Sequence, residues 1–183
     1  MSLPSQPVGN HQSNHSINFI KNPLHLKDIA IIGVMAAILV AVKEPLSMII
    51  NVELVSFFFI IFAKHYKEKV YYVALVFVLI ECFLYGLSDW VIMYLYVWPI
   101  LITLVLIFQK EKSVFVYALI SGLFGLFFGT LCTITTLFVG GPKYALSYFI
   151  SGLPFDVIHC FANFIICLLL YHPFNKVMQK IKF

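Results

Sequence analysis

The sequence is dominated by long apolar runs that only short polar clusters separate. The run VALVFVLI at residues 73–80 is typical, and hydrophobic residues make up 62% of the 183-residue chain against 11% for charged residues. In lipid the backbone must satisfy its own hydrogen bonds, so long unbroken runs predict transmembrane helices. A membrane β-barrel would instead alternate apolar and polar residues. The chain is therefore predicted to be an all-α, polytopic membrane protein.

These runs predict a bundle of six transmembrane helices. The predicted spans are residues 27–42, 46–64, 70–87, 91–109, 113–138 and 154–172. Of the 12 lysines, only Lys43 and Lys143 fall on one predicted side of the membrane, and the other ten fall on the opposite side. Lysine is enriched in cytoplasmic loops, so both termini are predicted to be cytoplasmic. Residues 1–23 are expected to be a disordered polar tail, and residues 24–183 a single transmembrane domain.

Two stretches on the predicted external side do not fit simple spans. The first two spans share only about 38 residues, which at ~1.5 Å per residue gives two helices shorter than the ~30 Å hydrocarbon core. The loop that joins them is therefore expected to lie partly inside the membrane. Residues 139–153 are expected to form a short interfacial helix, with Pro154 in the first turn of the last span. A cavity that opens outward would explain both stretches.

Polar side chains recur in the outer half of the predicted spans. Asp156, His159 and Asn163 share one stripe of the last span, while Glu81 and Tyr85 lie at a comparable depth in the third. Ionisable groups are costly in lipid and face a partner or an aqueous cavity. These residues are candidates for binding a polar small molecule. Two structural alternatives remain: a polar network that fixes packing, or Asp156 capping the last helix.

The fourth span adds aromatic side chains to this candidate site. Trp90, Tyr94 and Trp98 follow one another at four-residue steps and therefore share a helix face. Trp90 suits a membrane-interface anchor, whereas Trp98 lies about two helical turns deeper. Tyr94 and Trp98, together with Tyr85 and Tyr96, are predicted to wall a cavity for a flat or bulky organic ligand.

Two stripes of small residues mark faces where helices approach closely. The stripe in the first span consists of Gly33, Ala37 and Ala41. It predicts either internal packing or a docking face for a separate membrane subunit. The stripe in the fifth span consists of Gly122, Gly125 and Gly129, and for this one internal packing is favoured.

The sequence lacks the residues that several kinds of binding and catalysis require. It contains no arginine for bidentate phosphate or carboxylate binding, no HExxH metalloprotease motif and no glycine-rich phosphate loop. The four cysteines lie within apolar runs without metal-binding spacing. The lysines are spread over separate loops, which argues against nucleic-acid binding. No catalytic residue, metal or cofactor is predicted.

Four stretches resemble the S components, the substrate-binding membrane subunits of energy-coupling factor (ECF) vitamin transporters. They are AILVA at 37–41, NVELVSF at 51–57, ECFLYGLSDWVIMYLYVWPIL at 81–101 and SGLPFDVIHCFANF at 151–164. The resemblance covers residues 27–175, and the two longest stretches are most similar to a subgroup linked to cobalamin uptake.

This resemblance implies a multi-pass, non-enzymatic subunit of the bacterial plasma membrane. It would bind a vitamin, cobalamin or a related precursor, near the external face under the first loop. A transmembrane scaffold subunit and two cytoplasmic ATPases would supply the energy, and the stripe at Gly33, Ala37 and Ala41 would dock on the scaffold. Two alternatives stay open. One is a membrane enzyme acting on a lipid or isoprenoid, with Asp156 and His159 as acid and base; the other is a non-catalytic assembly subunit.

Overall fold

The computed structural model describes residues 24–46 and 52–181, and within these ranges the protein is helical with short connections. The helices are α1 (Leu26–Leu46), α2 (Val55–Tyr66), α3 (Val70–Tyr85), α4 (Asp89–Ile107) and α5 (Val114–Ile181). A short 3₁₀ helix, Lys67–Lys69, joins α2 to α3. The predicted all-α class is confirmed, since no strand occurs in the described ranges. The predicted N-terminal tail lies outside them.

Helix α5 is a hairpin that reverses at Gly141. Gly141 has φ 76° and ψ −179°, a backbone conformation that side chains disfavour and glycine adopts readily. The arms on either side of it, residues 114–140 and 142–181, run antiparallel. Positions that face each other across the arms are Gly129 with Asp156, Gly125 with His159, and Gly122 with Phe164. Along this series the residue numbers of the first arm decrease while those of the second arm increase, as they must in an antiparallel hairpin.

The separate interfacial helix predicted for residues 139–153 is absent from the structure. The second arm is helical without interruption, and Pro154 lies inside it rather than in a first turn. A proline inside a helix removes one backbone donor and can be tolerated where neighbouring helices pack around it. Within α5 only Gly141 departs from helical backbone geometry, and its positive φ is one that glycine adopts readily, so the helix breaks there and not at Pro154. The predicted boundary at Pro154 is therefore wrong.

Of the first two helices, only α2 is short. With 21 residues α1 reaches about 31 Å, whereas the 12 residues of α2 reach about 18 Å. Every residue from Val55 to Ala63 is buried, and a helix that is apolar on all sides belongs in the centre of a bundle. The expectation that both helices are short is wrong. Residues 47–51 of the predicted embedded loop lie outside the described ranges.

In the part of the chain that the structure describes, three helices, α1, α4 and α5, are long and apolar enough to cross a membrane. Their outward faces are apolar as well, as Leu95, Phe161 and Leu169 show by being more than half exposed. Large apolar side chains exposed along whole helices suit contact with lipid. These are the properties of a membrane protein.

The site discussed below lies at one end of this bundle, termed here the Gly141 end. There α1 and α3 end, α4 begins and α5 reverses. At the opposite end Lys69 pairs with Asp28, and Nζ of Lys64 donates to the backbone carbonyls of Gln109 and Glu111 at 2.5 and 2.6 Å. Each end therefore has its own polar contacts that tie the helices together.

Candidate functional site

An ion pair joins the end of α1 to α3 at the Gly141 end. The ammonium of Lys43 donates to Oε2 of Glu81, whose side chain is fully buried. Oε1 of Glu81 has no hydrogen-bond partner among the described residues. Glu81 was expected to face a partner or a cavity because of its cost in lipid, and the structure supplies Lys43 as its partner.

Two aromatic rings and a second carboxylate surround the same ammonium. Nζ of Lys43 lies 4.8 Å from the ring centroid of Tyr85 and 4.6 Å from that of Trp90. The Tyr85 hydroxyl donates to Oε1 of Glu44 at 2.6 Å, and that oxygen is 3.9 Å from Nζ of Lys43. Ring faces attract cations through their quadrupoles. The four residues Glu44, Glu81, Tyr85 and Trp90 are termed the ammonium cage.

A column of rings leads from the cage into the bundle. The ring centroids of Trp90 and Tyr94 are 5.4 Å apart, and those of Tyr94 and Trp98 are 5.1 Å apart. Trp98 is buried, stacks on Phe59 at 5.0 Å, and has no partner for Nε1 among the described residues. Tyr94 also lines a cavity of about 150 Å³ between α3 and α4. The shared face predicted for the three α4 aromatics is thus a packed column.

At its inner end the column meets a second polar pair. Trp98 and Phe128 lie 6.0 Å apart, and Phe128 and His159 lie 5.1 Å apart, between ring centroids. Nε2 of His159 is 3.3 Å from Oε1 of Glu53. The other oxygen of Glu53 accepts from the N–H of Ser56 at 2.8 Å, in the first turn of α2. His159 thereby ties the segment before α2 to the second arm of α5.

Asp156 serves the contact between the two arms of α5. Its Oδ1 accepts from the backbone N–H of Gly129 at 3.0 Å, and a Cβ on Gly129 would lie 2.5 Å from Oδ2. Because Asp156 lies in the interior of a helical arm, the alternative in which it caps a helix N-terminus is wrong. Asn163 is buried two turns further along, and its Nδ2 has no partner among the described residues.

The structure therefore links five of the seven predicted site residues through contacts. These are Glu81, Tyr85, Tyr94, Trp98 and His159. Asp156 and Asn163 are buried on the second arm of α5, and Asp156 is engaged by Gly129.

Sequence reasoning left out several members of this cluster. The residues left out of the site are Lys43, Glu44, Glu53, Phe59, Trp90 and Phe128. One signal in the sequence pointed to Lys43. It is one of only two lysines on the predicted lysine-poor side, where a buried ammonium would need a specific partner. Phe59 and Phe128 carried no such signal, because many phenylalanines occur in these apolar runs.

The two stripes of small residues have opposite environments. Gly33, Ala37 and Ala41 are exposed, and a Cβ on Gly33 would meet no atom within 4 Å. In contrast, a Cβ on Gly125 would lie 2.8 Å from the carbonyl oxygen of His159. The internal packing predicted for the α5 stripe is confirmed, whereas the α1 stripe faces outward.

No family model, curated protein or solved structure matches the chain. Within residues 24–46 and 52–181, no three His, Cys, Asp or Glu side chains group closely enough to hold a metal ion. The polar and aromatic cluster near the Gly141 end is therefore the candidate functional site.

Proposed function

We propose that this protein is the substrate-binding S component of an ECF-type importer, which captures a vitamin at the external face of the bacterial plasma membrane. The ligand that the resemblance implies is cobalamin or a related precursor. The observation that carries the proposal is the chain of contacts from Lys43 and Glu81 through Trp98 to His159. Buried ionisable groups inside a membrane protein mark substrate pathways and binding sites, and stacked rings suit an organic ligand.

The proposed orientation has six spans and two cytoplasmic termini. The described ranges contain six α-helical stretches, namely α1 to α4 and the two arms of α5, with α2 enclosed by the others. In this orientation the lysine-poor Gly141 end faces outward. The binding site would then be reached from outside, at the end of the bundle where α1 ends and α4 begins.

The energy for transport would come from other subunits. The exposed stripe at Gly33, Ala37 and Ala41 is the proposed contact with a transmembrane scaffold, because small residues let helix backbones approach closely. Two cytoplasmic ATPases would act through that scaffold, since this sequence has no phosphate-binding loop.

Acid–base catalysis on a lipid is less well supported. It would require Asp156 and His159 to act together on one substrate. Asp156 instead hydrogen-bonds to Gly129, and His159 to Glu53, so the two side chains are held by different partners.

A variant of the docking face should lose uptake and keep ligand binding, and this difference tests the proposed function. We expect the double variant Ala37→Trp/Ala41→Trp to retain the small molecule that co-purifies with the wild-type protein and to lose uptake in cells. The reason is that bulky side chains block close approach of the scaffold. Mass spectrometry of the purified protein identifies the molecule, and uptake of that labelled molecule measures transport.

The matched control is Ile165→Trp/Leu169→Trp, which places the same bulk at the same spacing on the exposed face of the second α5 arm. This control should bind and transport normally. The proposal fails if no vitamin-class molecule co-purifies with or stabilises the protein. The proposed docking role of the α1 stripe is wrong if the Ala37→Trp/Ala41→Trp variant transports as well as the control.

The site residues are tested by His159→Ala, which should weaken ligand binding by about tenfold or more. A hydrogen bond to a charged group contributes about 1.5–3 kcal/mol, and ~1.4 kcal/mol corresponds to a tenfold change in affinity. The variant loses a polar contact at the inner end of the column and the tie to Glu53. Calorimetric titration with the co-purified molecule measures the affinity. The matched control, His172→Ala, removes an exposed histidine of the same arm. A loss of ligand-free stability with unchanged affinity would assign His159 to packing alone.

A further inference from the structure

The ammonium cage combines the groups that proteins use to bind organic cations. Two ring faces, from Tyr85 and Trp90, and a fully buried carboxylate, from Glu81, converge on a single nitrogen. Cation–π attraction strengthens when the cation is desolvated. In this structure the nitrogen is the chain's own, since it belongs to Lys43.

The charge of the Gly141 end also favours a cation. In the half of the described bundle nearer to Gly141, five acidic side chains stand against two lysines, Lys43 and Lys143. The acidic ones are Glu44, Glu53, Glu81, Asp89 and Asp156. Residues 47–51, SMIIN, add no charge. An excess of negative charge attracts ligands of the opposite sign.

The two partners of the ion pair differ in how easily they can leave it. The Glu81 side chain is fully buried, and its Oε1 still has no donor among the described residues. The Lys43 side chain is 21% exposed and extends from the last turn of α1 on a flexible four-carbon stem. Lys43 can therefore move its charge toward water, whereas Glu81 keeps its need for a cation.

We propose that the cage is a binding site for an organic cation, and that Lys43 occupies it until the ligand displaces the lysine ammonium. The ligand class is a molecule that carries a quaternary ammonium or an N-alkylated aromatic ring. This inference rests on the proposed function, the capture of a small molecule, and it favours a cationic ligand over the cobalamin that the resemblance implies. Glu81 pairs with the positive group, and Tyr85 and Trp90 cover its apolar surface.

Chemical rescue tests the cage with a defined probe. Choline carries a quaternary ammonium, and 3,3-dimethylbutan-1-ol is its neutral counterpart of the same shape. Removing Lys43 empties the cage, so Lys43→Ala should bind choline about tenfold more tightly than the wild-type protein does, as measured by calorimetric titration. The neutral alcohol should bind both proteins equally weakly. Lys143→Ala, which removes an exposed lysine at the same end, should behave as wild type.

A second measurement uses the wild-type protein and does not depend on the folding of a variant. Acetylation of lysines by an amine-reactive ester, followed by mass spectrometry, reports how often Lys43 leaves the cage. Saturating choline should raise the labelling rate of Lys43 several-fold relative to Lys143, and the neutral alcohol should not.

The cage proposal is overturned if choline binds no more tightly than the alcohol, or if choline leaves the labelling of Lys43 unchanged. A co-purified vitamin without a positive charge, together with either negative result, would overturn the cage and leave the proposed transport function standing. Failure to find any vitamin-class ligand would instead count against the proposed function.

Discussion

Replacing Lys43 by alanine is expected to lower the free energy of unfolding by about 3–5 kcal/mol, because it leaves a buried carboxylate without its counter-ion. Glu81 is fully buried, and its only hydrogen bond among the described residues is the one from Lys43. The loss should appear as a large fall in melting temperature of the purified protein in detergent, measured without ligand.

The double variant Lys43→Met/Glu81→Gln tests whether the instability of Lys43→Ala comes from the unpaired charge of Glu81. It removes both charges together and keeps side chains of similar volume, so it should recover most of the lost stability. Lys143→Ala is the control for removing a positive charge at the same end, and it should change stability little, since that side chain is exposed. If Lys43→Ala melts like wild type, then the buried ion pair does not contribute to the fold.

The second large effect is expected at Gly125, where a single methyl group should destabilise the hairpin by about 1–3 kcal/mol. A Cβ at this position would lie 2.8 Å from the carbonyl oxygen of His159 and 2.9 Å from its carbonyl carbon. Both atoms belong to the backbone of the facing arm, so the two arms of α5 must move apart to relieve the contact. Gly125→Ala should therefore lower the melting temperature.

Gly33→Ala is the matched control, because it adds the same methyl group to a helix glycine that faces open space. Alanine loses less conformational freedom than glycine in a helix, so this variant should be neutral or stabilised by about 0.5–1 kcal/mol. Melting curves of both variants under the same conditions test the contrast. Equal shifts for the two would contradict the close contact between the α5 arms.

Much of the candidate site was predictable because it depends on local properties of the chain. The cost of an ionisable group in an apolar run marked Glu81 and His159, and four-residue spacing placed Tyr94 and Trp98 on one face. The partners of these residues were not predictable in the same way. Glu81 meets Lys43, 38 positions away in sequence, and His159 meets Glu53 across 106 positions.

The two glycine-containing stripes show why the environment of a helix face cannot be derived from its spacing. The stripes at Gly33 and Gly125 have the same kind of pattern, yet the first faces outward and the second packs against a neighbouring backbone. Spacing determines which residues share a face of a helix. The rotation of that helix against its neighbours determines what the face meets, and rotation depends on the packing of all the helices together.

By itself the sequence determined that this protein is helical and apolar enough for a membrane, and which polar groups needed partners. These follow from hydropathy and helical periodicity, which depend on residues close in the chain. Only the tertiary structure decided that α5 breaks at Gly141 and continues as a helix through Pro154, that Asp156 joins the two arms, and that Lys43 fills a cage of rings and carboxylates. Each of these depends on helix depth and orientation, which distant parts of the chain set by packing against one another.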